Sequence, residues 1–182
     1  MEKQLVLYCA PTLAGIKAAN LFRYSFLSEA KLADTLSYTN ETLNPKGVYA
    51  EAVRIRENHA LIYVYRATRL ATALQKEGVS EFLSGYNYPS SVVEDCISHL
   101  KKRFHADDSF PHEIGLFLGY PLLDVVGFIE NEGKNSICAG CWKVYHNELE
   151  AMRLFAQYKK CKHIYVRLYL QGRPFGRMIV AA

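Results

Sequence analysis

The chain has 182 residues, a formal net charge of +4 and half its residues hydrophobic against 22% charged, which excludes a disordered chain. Its length suits one domain over 1–182 with enough chain to bury a core. No apolar run reaches the about 18–20 residues that cross a bilayer. The short apolar run before Cys9 and Pro11 does not read as a secretory signal, so the expectation is a soluble cytoplasmic protein with no membrane partner. Five cysteines, an odd number at wide spacing, point to free thiols rather than a disulfide framework.

In chain order, residues 4–8 (QLVLY) read as a short buried strand. Pro11 then predicts a helix start, because its fixed φ and missing N–H suit a first turn, and helical spacing of Leu13, Ile16 and Leu21 carries that helix to about Leu27. Ser28 opens a second helix as N-cap, which stops before Asn44-Pro45-Lys46-Gly47. Residues 48–56 and 60–65 predict two strands joined by a hairpin loop at Glu57-Asn58-His59. A helix over 66–76 ends near Gly78.

The pair Ser91 and Glu94 has capping-box spacing and launches a helix to about Phe104, before a polar break at His105–Ser109. The most patterned stretch, FPHEIGLFLGYPLLDVVGFIENEGKN, predicts two short helices over 111–118 and 122–131 with Gly119-Tyr120-Pro121 as the turn between them. Residues 137–145 read as a strand, Asn147 caps a helix to Lys160, and 163–170 read as a last strand. Helices interspersed with strands and one hairpin predict an α+β fold, a mixed or antiparallel sheet with packed helices.

Cys9 leads the chemical candidates. A thiol at a strand-to-helix junction meets the positive end of a helix dipole, which favours the nucleophilic thiolate, and the N–H groups there stabilise an oxyanion. The competing reading is a core-filling thiol. A nucleophile of this kind needs a base, and among six histidines His112, between Pro111 and Glu113 after a loop, is the best placed. The competing reading for His112 is a local hydrogen bond in a helix's first turn. Asp124, Asn135 and Glu113 are candidates for the group that orients the imidazole.

Other features carry less. Cys138-Ala-Gly-Cys141 is a CxxC with no second ligand pair for a zinc site and with extended residues where a redox motif needs a helix start. The glycines over 111–142 form no phosphate-binding motif and read as helix-packing and turn residues. Thirteen Tyr and nine Phe read mainly as core, with a lined pocket as the alternative. The helix LLDVVGFIEN has no Lys or Arg for phosphates, which argues against a nucleic-acid partner through a helix-turn-helix. The basic clusters Lys101-Lys102-Arg103 and Lys159-Lys160-Cys161-Lys162 read as helix-end cations, with an anionic partner as the alternative.

CAPTLAGIKAANLF (9–22) and the long block FPHEIGLFLGYPLLDVVGFIENEGKNSICAGCWKVY (110–145), together with ALIYVYRATRL (60–70) and KKCKHIYVRLYLQG (159–172), resemble a family of small Clostridia-type proteins known as a domain of unknown function (number 3793). One branch of it resembles papain-like cysteine peptidases in fold and forms amide bonds in closthioamide-type, thiotemplated polythioamide biosynthesis. Resemblance to that branch implies Cys9 as nucleophile, His112 as base and Asp124 or Asn135 as third member. It further implies a carrier-protein thioester as acyl donor and an amine as acceptor, with no cofactor and no metal. The other expectation is a binding or regulatory module, in which Cys9 is buried and remote from every histidine.

Overall fold

In the computed structural model, which describes residues 1–89, 92–106 and 110–181, the chain opens on a helix, α1 (Glu2–Leu13), where a strand over 4–8 is expected. Pro11 lies in its last turn rather than its first. The stop signal is Gly15, whose φ of +74° lets Gly15 N bond to Thr12 O and Ile16 N to Pro11 O, a Schellman closure. A short apolar run fits strand and buried helix equally well, and here Leu5, Val6 and Cys9 fall on one helical face. The expected helix through Leu27 is corrected too: Ala19–Ser25 form a strand, β1.

Helix α2 (Glu29–Leu43) starts where expected, with Ser28 Oγ accepting from Lys31 N. After it come β2 (Val48–Arg56) and β3 (His59–Arg66), joined by the expected hairpin. β3 is central, paired antiparallel with β1 on one side and β2 on the other. The alternation along β3 sorts two cores. Ala60, Ile62 and Val64 pack with α1 and α2, while Tyr63 and Tyr65 face a second core. A bulge at Val53 shifts the β2–β3 register between Ala52 and Arg54 and turns Val53 into the second core.

That second core is built by α3 (Ala67–Leu74), α4 (Val79–Ser84), α5 (Val93–Ala106), α6 (Ile114–Phe117) and α7 (Leu122–Glu130). The turn at Gly119-Tyr120-Pro121 separates α6 from α7 as expected. Ser91, half of the expected capping box, and 107–109 of the polar break lie outside the described residues. The strand expected over 137–145 is a small hairpin, β4 (Cys138–Ala139) paired with β5 (Lys143–Val144).

Asn147 caps α8 (Glu148–Leu170) by accepting from Glu150 N, but the helix does not end at Lys160, and the strand expected over 163–170 is its second half. Taken alone, IYVRLY has strand composition. Read with 151–158, however, Ala151, Leu154, Phe155, Tyr158, Tyr165, Val166, Leu168 and Tyr169 form one stripe at helical spacing, and its later part packs against the α1 core. The result is a helix-and-strand fold with small antiparallel sheets. Among the described residues no helix is long and apolar enough to cross a membrane.

Candidate functional site

Cys9 lies inside α1, not at a strand-to-helix junction, and its side chain is 0% exposed among Leu5, Leu13, Phe22 and Ile62. No helix start is beside it to favour a thiolate. Burial instead pushes the thiol far above the ordinary cysteine value, with only partial opposition from the Lys17 ammonium. Cys9 lines neither the aromatic cavity nor the basic clefts described below.

His112 sits in the turn before α6, exposed, its ring centroid 5.0 Å from that of Phe128 and 5.8 Å from that of Phe110. It is on the side of the sheet opposite Cys9, so the fold does not bring the two together. The groups expected to orient it are engaged elsewhere. Asp124, 3% exposed, accepts from Trp142 Nε1 at 2.7 Å, Tyr145 N at 2.8 Å and His146 N at 3.0 Å. Glu113, adjacent in sequence, turns inward to Arg103 Nε at 2.9 Å and Tyr88 Oη at 3.3 Å. Asn135 is exposed at a φ of +58° and donates to Asn131 Oδ1 at 3.4 Å.

His112 and Asp124 do share the lining of an aromatic cavity of about 370 Å³. Its walls are Phe110, Ile114, Leu118, Tyr120, Val125, Phe128, Ala139 and Trp142, with His112 and Lys143 as its polar groups beside the committed carboxylate of Asp124. Tyr120 stacks on Trp142 at 4.9 Å between centroids, and Phe155 meets the indole edge-on at 4.5 Å. Every lining residue falls within 110–143, the longest of the sequence blocks singled out above. Close approaches there require glycine: a Cβ on Gly127 would come within 2.6 Å of the Tyr145 ring, and one on Gly140 would collide with Phe155.

A family model described as protein of unknown function (DUF3793) matches residues 5–179. The chain belongs to this family. The description names no activity, fold or ligand, and no curated protein and no solved structure matches the chain. For this DUF3793 chain the chemistry is therefore read from its own side chains.

Two further features complete the picture. Cys138 and Cys141 are free thiols on the β4–β5 hairpin, the second of them exposed, and among the described residues no group of three or more His, Cys, Asp or Glu is placed to hold a metal ion. Lys17, which sequence reading passed over, is 6% exposed and donates to Ala19 O at 2.7 Å. Burial brings its ammonium down to about 8 despite nearby Cys141 and Cys9. Its signal in the sequence is a lone lysine inside the apolar run LAGIKAA, just past a helix-ending glycine.

Proposed function

We propose that this chain is a binding protein whose site is the aromatic cavity of residues 110–143, and that it takes a small, largely apolar ligand carrying one hydrogen-bonding group. The observation that carries this is the cavity itself: aromatic walls, a volume within the ordinary range for small-molecule sites, and one exposed imidazole at its edge. Apolar surface supplies the affinity, at roughly 25 cal/mol per Å² before the costs of association. His112 and Lys143 supply orientation toward an acceptor or anionic group.

Acyl transfer by Cys9, the other expectation, has less to stand on. It needs a thiolate that meets a carrier-bound thioester, and Cys9 is a neutral thiol closed off in a core. His112 could serve a transfer reaction only with another nucleophile.

The test uses Trp142, the single tryptophan, as reporter. Titration with octanoate, octanol and octylamine should change its emission saturably, with octanoate the tightest. Ala139→Phe, at an exposed position on the cavity wall, should weaken binding at least tenfold. Equal binding by wild type and Ala139→Phe would place the ligand elsewhere and sink the assignment.

A further inference from the structure

A second concavity, of about 770 Å³, lies between the turn after α1, one face of α3, and α8. Lys17, Arg66, Arg69 and Lys76 line it, with the hydroxyls of Thr68 and Thr72, and among the described residues no carboxylate side chain does. Lys17 is also a wall of the adjoining cleft, which holds Lys159 and Lys162 from the basic stretch of α8, again without an acid. The two cleft linings share Lys17 and Tyr158.

Several observations set this apart from a solvated basic face. Lys17 and Arg66 are 6% and 2% exposed, so two of the cations are built into the protein rather than trailing in water. Arg66 is held by the carbonyls of Thr12, Leu13 and Val180, whereas Lys17 has Ala19 O as its one acceptor among the described residues. Lys17, Arg69 and Lys76 have no ion-pair partner among the described residues. Burial, and next the nearby Arg69 guanidinium, make the Arg66 charge costlier, a repulsion that an anion between them would relieve. Finally, α3 starts with no side-chain cap and no acidic residue in its first turn, where Thr68 and Arg69 line the cleft.

We propose that this cleft is a binding site for a small phosphorylated molecule, its phosphoryl group held by Lys17, Arg69 and the first turn of α3, with Lys76 and the adjoining lysines taking further negative charge. Four lining cations exceed what one carboxylate needs, and hydroxyl donors among them suit a tetrahedral oxyanion. A concavity of this volume suits a small molecule rather than a nucleic-acid backbone, which needs an extended basic surface.

The probe is inorganic pyrophosphate, followed by calorimetry on the full chain at constant ionic strength, with citrate as the carboxylate control. Pyrophosphate should bind at least tenfold more tightly than citrate. Arg69→Gln, at an exposed helix position, should weaken it about tenfold, and Lys17→Met should weaken it further with the fold intact by circular dichroism. Ala139→Phe, in the aromatic cavity, should leave it unchanged, which separates this site from the apolar one. No pyrophosphate binding at millimolar concentration, equal binding of citrate, or full affinity in the Arg69→Gln, Lys76→Gln double variant would overturn the proposal.

Discussion

Trp142 donates its indole N–H to one oxygen of Asp124 while the other oxygen takes the backbone N–H groups of Tyr145 and His146. One buried carboxylate on α7 thus fixes the cavity's largest wall, the strand-end that follows it and the approach to α8. A carboxylate already holding three donors is committed to this scaffold rather than to orienting an imidazole.

Replacement of Asp124 by Ala should therefore destabilise the protein by about 3 kcal/mol, since charge-assisted hydrogen bonds contribute about 1.5–3 kcal/mol each and losses within one network are not additive. Urea denaturation followed by far-ultraviolet circular dichroism measures it. Trp142 emission should shift to the red as the indole loses its anchor. Asp124→Asn keeps one acceptor oxygen and should lose less.

Thiol labelling should separate the cysteines. Under native conditions Cys141, exposed, should react first with a maleimide, while Cys9 should stay unlabelled until global unfolding. Both thiols are raised above the ordinary value, Cys9 by burial and Cys141 by burial partly offset by Lys17 and Lys162, so native labelling of Cys141 should quicken with alkaline pH. Rapid acylation or alkylation of Cys9 in the folded protein would restore it as a nucleophile.

Lys17 makes stability depend on pH in a defined sense. Its folded value is lowered to about 8 from an unfolded 10.5, so between those values the unfolded chain binds the extra proton and stability rises with pH. The charge-burial cost is fully present below about 8 and gone above about 10.5. Cys9 works oppositely: raised on folding, it removes stability as pH passes the ordinary thiol range. Comparing wild type with Lys17→Met isolates the lysine. The variant should be more stable by about 2 kcal/mol at pH 7, the roughly 3 that such a shift represents less about 1 for the lost bond to Ala19. That gain should vanish by about pH 10.5 in urea titrations.

Arg66→Lys should cost about 2–4 kcal/mol despite keeping the charge. The guanidinium fork reaches Thr12 O, Leu13 O and Val180 O together, and a single ammonium on a shorter reach cannot span the end of α1 and the C-terminal segment at once. The loss should appear in thermal unfolding and in faster amide exchange at Val180, whose N–H bonds to Leu13 O.

The elements legible in the sequence are those with local punctuation. Ser28 and Asn147 as caps, the hairpin at Glu57-Asn58 and the Gly119-Tyr120-Pro121 turn are each set by interactions within a few residues. The misread segments are those whose state is decided at long range. Residues 4–8 and 163–170 are apolar enough for either state, and each becomes helical against the other as α1 packs on α8. Ala19–Ser25 follow the helix-stopping Gly15, and they become a strand through β3, some forty residues later. The site divides the same way. The block 110–145 stood out as sequence and does enclose a cavity, but the strand-to-helix junction expected at Cys9 needed a strand before it that the chain does not form.

The clasp at Arg66 also has a bearing on how the chain assembles during synthesis. Its guanidinium joins residues 54 and 114 positions away in sequence, so its set of bonds at the carbonyl end of α1 is complete only once Val180 has been synthesised. Loops of that length close slowly and at an entropic cost. Until then the basic cleft lacks one wall, so an anion seated there would favour the completed clasp by mass action.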